Sequence, residues 1–144
     1  MTGSKEDALA LTIARSLNAA ETTAPLWDLR VEDAGAGWAR CSMVVGDGML
    51  NGLGTAHGGM IFAFADTAFA YACNSRNVRT FAQHASISFL SPGRLGEKLV
   101  ATAREDASEG RSGVYTVTVI GEDGRILAIF QGLSRTVGGT VVEE

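Results

Sequence analysis

The chain has 144 residues, 46% of them hydrophobic and 19% charged, a length and balance that suit one globular domain, 1–144, with a sizeable core. A net charge of −4 without a dense run of Lys and Arg argues against nucleic acid as a partner. The most apolar segment, 60–73, is 14 residues long and contains Asp66, whereas a membrane span needs about 20 apolar residues, so a soluble protein is expected.

Glu6 and Asp7 stand where a signal peptide needs positive charge, and Arg15 interrupts the apolar stretch that follows. With only Cys41 and Cys73 present, the thiols are expected to be reduced and the protein cytoplasmic. Leu9, Ile13 and Leu17, preceded by Ser4 and acidic residues, predict an amphipathic helix over 5–19 within an N-terminal arm, 1–20. Strand-like runs follow at 27–32 and 38–45, joined through 33–37, which reads as a hairpin turn. The glycine-rich segment 46–54 reads as a loop.

HGGMIFAFADTAFAYACNS lacks proline and is rich in Ala, Phe and Met, predicting a helix over 58–75. Its apolar residues surround it on all sides, so it is expected to be buried. Four further strands are expected at 80–90, 96–106, 112–122 and 125–136, the last two joined by Asp123-Gly124. Grouped strands and one apolar helix predict an α+β fold: a curved antiparallel sheet of about six strands wrapped around a buried helix, the hotdog architecture.

On a helical repeat Asp66 shares a face with Phe62, Ala63, Phe69 and Ala70, where an unpaired charge costs several kcal/mol. Two explanations stand: Thr67, Asn51 or a backbone N–H pins it, or it is a general base or nucleophile in an apolar cleft. His57-Gly58-Gly59 opens the same helix, where glycines let a ligand oxygen approach free N–H groups at the positive end of the dipole. Such donors polarise a thioester carbonyl, and a carboxylate supplies or activates the attacking oxygen. Gly58 and Asp66 are eight residues apart, about 12 Å along a helix, so one chain cannot aim both at one carbonyl carbon. If both act, they meet across a two-fold interface, which predicts a dimer.

His57 and His84 lack metal-site spacing with the cysteines or acids, so no metal is expected. His57 reads as a cap or orienting residue. Arg94, Lys98, Arg104, Arg111 and Arg135, scattered over the strand half, are candidates to hold the phosphates of coenzyme A, although a solvated surface is the default reading for each. Met60, Phe62, Phe64, Phe69 and Tyr71 are candidates both for an aryl pocket and for the core.

LNGLGTAHGG at 50–59, MIFAFADTAFAYACNS at 60–75, ISFLSPG at 87–93, GVYTVTV at 113–119 and FQGLSRTVGGT at 130–140 resemble the PaaI-type hotdog thioesterases. The resemblance implies that Asp66 is the catalytic carboxylate and Gly58 the donor to the thioester carbonyl. It further implies that Asn51 and His57 position substrate or water, with Thr67 beside Asp66. Substrate binding is assigned to Gly59, to Ser91, Pro92 and Gly93, and to Arg94, Arg111 and Arg135. An inter-subunit site, dimers pairing into tetramers, phenylacetyl-CoA or its ring-hydroxylated forms as substrate, and no metal or redox cofactor complete what the resemblance implies. Phe81, Ala82, Gln83 and His84 occupy a region where some hotdog thioesterases place a serine or threonine. The competing readings are a non-catalytic acyl-CoA binder and, on the same fold, a hydratase, which needs a paired His and acid; no Glu lies on the predicted helix.

Overall fold

The structure, a computed structural model, describes residues 3–144; the first two residues of the expected arm lie outside it. Ser4 opens helix α1 (Lys5–Ala20) with a capping box, its hydroxyl accepting from Asp7 N–H at 3.1 Å while the Asp7 carboxylate accepts from Ser4 N–H. The buried stripe is Ala10, Ile13 and Ala14, which packs α1 against β1 and α3.

The strand expected at 27–32 begins later. Thr23–Trp27 form a short helix, α2, ended by Asp28 at φ 47°, and β1 runs Arg30–Gly35. Pro25 carries a φ suited to an early helical turn, and that outweighs the β preference of Trp27. The hairpin turn expected across 33–37 shrinks to Ala36-Gly37, because Gly37 supplies φ 79° and the Asp7 carboxylate accepts from Ala36 N–H at 2.9 Å.

The remaining elements are β2 (Trp38–Val44), α3 (Gly58–Cys73), β3 (Thr80–Phe89), β4 (Lys98–Glu109), β5 (Ser112–Ile120) and β6 (Ile126–Thr136). The loop expected at 46–54 holds one 3-10 turn, Asp47–Met49. All six strands form one antiparallel sheet in the order β1-β2-β4-β5-β6-β3, and α3 crosses its face, touching every strand: a hotdog fold of the α+β class. Among the described residues no helix is long and apolar enough to cross a membrane.

Alternation places Ala39, Cys41 and Met43 of β2, Leu99, Ala101 and Ala103 of β4, and Tyr115, Val117 and Val119 of β5 under α3. Phe64 and Phe69 of α3 press into this face, each fully buried side chain contributing about 2 to 3 kcal/mol. Gly132 of β6 is a glycine for a steric reason: a Cβ there would lie 2.6 Å from the Phe69 ring. The core therefore interlocks small strand residues with large helix residues, which fixes the rotation of α3 about its axis.

A buried ion pair secures the turns at one end of the sheet. Glu97 accepts from Arg125 Nη2 at 2.8 Å and Nη1 at 3.0 Å and from the N–H groups of Arg94 and Glu122, while Arg125 Nη2 also donates to Pro92 O. Arg125 beside it and these N–H donors hold the Glu97 carboxyl down at about 2. Because the folded value lies below the unfolded one, this contribution is complete above the ordinary carboxyl range and is lost as pH falls toward 2. Glu97→Ala, which leaves Arg125 with only the Asp123 carboxylate at 2.7 Å and Pro92 O as partners among the described residues, is expected to cost about 1.5 to 3 kcal/mol in urea denaturation at pH 7. A loss under about 1 kcal/mol would contradict this assignment.

Candidate active site

Helix α3 starts at His57, held extended at φ −62°, ψ 135° by its N–H bond to Met49 O at 2.7 Å. His57 Nδ1 accepts from Gly59 N–H at 2.9 Å, so in the neutral ring the proton sits on Nε2. Met60 N–H bonds to His57 O at 2.9 Å. Among the described residues this leaves Gly58 N–H as the first-turn donor without an acceptor, at the positive end of the helix dipole.

Gly58 lines a cleft of about 330 Å³ together with Asn51, Ile61, Phe89, Ser91 and Pro92. A Cβ on Gly58 would stand 3.2 Å from the Phe89 ring, so glycine leaves this wall of the cleft open without displacing Phe89. Asn51 Oδ1 accepts from Leu53 and Thr55 N–H, both at 3.0 Å, and its amide donates to Thr55 Oγ1 at 2.9 Å. Asn51 thus shapes its own loop and keeps one amide proton unspent.

Asp66 lies two turns further along α3, in a second cleft of about 320 Å³ with Glu21, Trp27, Ala63, Thr67, Ala70 and Tyr71. It is half-buried, and among the described residues no hydrogen bond or ion pair reaches its carboxylate. The pinning explanation therefore fails: Thr67 Oγ1 donates to Ala63 O at 2.7 Å, and Asn51 is spent in its loop. Burial raises the Asp66 pKa. The helix also differs from the expectation of burial all round. Ile61, Phe64, Ala65, Ala68, Phe69 and Ala72 face the core, whereas Phe62, Ala63, Asp66, Ala70 and Cys73 stay partly accessible. Phe69 leaves the Asp66 face because Gly132 opens a seat for its ring on β6.

Glu21, at the end of α1, escapes the sequence reading. Tyr71 OH donates to it, Thr23 Oγ1 donates to its Oε2 at 2.9 Å, and burial raises its pKa. Asn18 Nδ2 bonds both Tyr71 OH and Leu29 O at 3.2 Å. A glutamate at a helix end reads as surface, and only the α1–α3 contact reveals otherwise.

The other candidates are dispersed. Gly59 N–H is taken by His57, and Gly93 is packed against Ala56 and Leu127. Arg94 lines a separate hollow of about 330 Å³ with Glu97, Glu122 and Asp123, and Arg111 lines another of about 160 Å³ with Cys73 and Arg76. Arg135 pairs with Phe81 at the start of β3, about 26 Å from its Phe89 end by strand rise. Phe64 and Phe69 belong to the core and Phe62 packs edge-on against Phe130; of the aryl-pocket candidates only Tyr71 lines the Asp66 cleft. Among the described residues no group of three or more His, Cys, Asp or Glu could hold a metal ion.

The sequence model described as the thioesterase superfamily matches residues 53–128. The chain is 42% identical over 108 residues to the acyl-coenzyme A thioesterase PaaI of Escherichia coli K12, covering 75% of this chain and 77% of that protein. The solved structure of the E. coli PaaI protein from the phenylacetic acid degradation operon superposes with a TM-score of 0.92 at 34% identity, covering 94% of this chain and 99% of that one. A Streptococcus mutans protein solved bound to acetyl-CoA gives a TM-score of 0.75 at 25% identity, covering 78% and 90%.

Proposed function

The chain belongs to the thioesterase superfamily and is an acyl-CoA thioesterase, and from that premise we propose that it hydrolyses phenylacetyl-CoA or a ring-hydroxylated phenylacetyl-CoA at a site shared by two subunits. The observation that carries this reading is the Asp66 carboxylate, accessible in a largely apolar cleft and bound to nothing among the described residues.

Gly58 N–H of one subunit donates to the thioester carbonyl oxygen and stabilises the negative charge that grows there. Asp66 of the other serves in one of two ways. As general base it takes a proton from water, whose oxygen attacks the carbonyl carbon; as nucleophile it attacks directly and water later cleaves the acyl anhydride. In both the C–S bond breaks. As general base, Asp66 passes the proton taken from water to the departing sulfur, whereas in the nucleophilic route coenzyme A leaves as the thiolate and gains its proton from the water that cleaves the anhydride. Water, a carboxylate and an N–H donor complete this chemistry without a metal or redox group. Asn51, with its free amide proton, and His57, with Nε2–H, orient substrate or water, and we assign a phosphate of coenzyme A to Arg94, two residues after Pro92 of the Gly58 cleft.

Support for the shared site comes from two features. Gly58 and Asp66 lie in separate clefts on one continuous helix, about 12 Å apart by its rise. Strand β3 is a sheet edge, paired among the described residues to β6 alone, with Phe81 56% and Phe89 52% exposed, a surface suited to antiparallel pairing with its own copy. The outer sheet face, with Val44 and Val114 exposed and Val100 and Ile129 half-buried, suits the pairing of dimers into tetramers. The reduced thiols fit the cytoplasm we propose as its compartment.

Thiol release from phenylacetyl-CoA, hydroxyphenylacetyl-CoA, benzoyl-CoA and straight-chain acyl-CoAs, followed with a thiol-reactive dye, tests the reading. Burial pushes Cys41 and Cys73 up to about 12, so the protein's own thiols react slowly with the dye. Fast release from the arylacetyl esters, lost in Asp66→Ala, is expected. Release from every ester no faster than without protein would select the non-catalytic binder.

A further inference from the structure

We propose that Glu21, presented by Tyr71 and Thr23, reads the far end of the acyl group, accepting a hydrogen bond from a hydroxyl there and favouring hydroxyl-bearing thioesters over plain ones. The inference rests on the thioesterase reading of the Asp66 cleft and adds a specificity-determining residue to it.

Three observations carry it. First, Glu21 and Asp66 line the same cleft, with Ala63, Ala70 and Trp27 supplying its apolar surface. Tyr71 follows Asp66 by five residues, about 7 Å along the helix axis, a reach comparable to a methylene plus an aryl ring. Second, the hydrogen-bonding capacity at that wall is one-sided. The Tyr71 hydroxyl donates to Glu21 and accepts from Asn18, and the Thr23 hydroxyl donates to Glu21. A carboxylate has about four acceptor sites, of which these bonds use two. No ion pair occupies the rest among the described residues. What remains is an acceptor surface, which complements a hydroxyl and leaves a plain ring edge facing a half-buried carboxylate with two of its acceptor sites unfilled. Third, Asn18, Glu21, Thr23 and Trp27 all precede the family-matched segment 53–128, which contains Asp66 and Tyr71. The reacting group and the groups that read the acyl terminus therefore come from different parts of the chain.

The test is kcat/KM for a matched pair of arylacetyl-CoA esters, with and without a ring hydroxyl, in wild type, Glu21→Gln, Glu21→Met and Asp66→Asn. Wild type is expected to favour the hydroxylated ester. Glu21→Met is expected to lower the hydroxylated-to-plain ratio by roughly thirty-fold and Glu21→Gln, which keeps shape and one acceptor, by roughly three- to ten-fold. Asp66→Asn should suppress both esters and leave the ratio alone. An unchanged ratio in the Glu21 variants, or no wild-type preference, overturns the assignment while the thioesterase reading stands. If Glu21→Met does not fold, the isosteric Gln variant decides by the same ratio. Turnover of neither ester by wild type overturns both readings.

Discussion

Asp66→Asn is expected to lower kcat for the preferred acyl-CoA by about 10³-fold, within the range that general acid–base catalysis supplies. The substitution keeps shape and removes only the charge, so circular dichroism and oligomeric state should be unchanged. Stability gives a second, opposite readout. Burial raises the folded Asp66 pKa above the ordinary 3.8, so the folded chain holds the proton more tightly than the unfolded one. The resulting cost to folding is absent below the ordinary carboxyl range, where both states are protonated, and grows as pH rises through the unfolded value to the raised folded value. Asp66→Asn should therefore be more stable than wild type at pH 7, with the advantage fading toward pH 3. A variant with most of its rate intact, or one destabilised at pH 7, would show that the carboxylate is structural. The same raised pKa predicts that the acid limb of the wild-type kcat/KM profile lies above the ordinary carboxyl range.

The second large effect concerns one backbone proton. Gly58 is the first helical residue of α3, a position where proline is tolerated because its missing N–H has no intrahelical partner. His57 is already extended at ψ 135°, as a residue before proline must be. Gly58→Pro therefore keeps the helix and deletes the donor, and is expected to lower kcat by about 10²- to 10³-fold. Gly58→Ala is the control. It brings a Cβ to 3.2 Å from Phe89 but keeps the N–H, so it should lose far less. Equal activity in the two variants would remove Gly58 from the mechanism, since only the N–H distinguishes them in kind.

Helix α3 and the four strands after it were legible because apolar periodicity and turn residues agree there with the tertiary contacts. Glycine-containing turns separate β3 from β4, β4 from β5 and β5 from β6, and each strand alternates against the helix. The region between α1 and β2 was not legible. Trp27 favours strand locally, yet Pro25 and the left-handed Asp28 make a helix and a sharp exit, and the start of β1 moves from 27 to Arg30. Asp66 stood out because a charge among phenylalanines and alanines demands a reason, and Gly58 because two glycines follow a capping histidine. Glu21 gave no such signal. Its neighbours Tyr71 and Thr23 are 50 and two residues away, and no periodicity links α1 to α3. The Glu97–Arg125 pair, spanning 28 residues, was hidden for the same reason.

The central claim is that Gly58 of one subunit and Asp66 of another build each site. Mixing unfolded Asp66→Asn and Gly58→Pro chains, each nearly inactive alone, and refolding them together tests it directly. In a mixed dimer one site receives both defects and the other receives neither. Random assortment into two-fold dimers then predicts recovery of about a quarter of wild-type turnover. No activity above that of the separate variants, with mixed dimers demonstrated by mass, would place both groups in one chain or neither in the reaction, and would contradict the shared site.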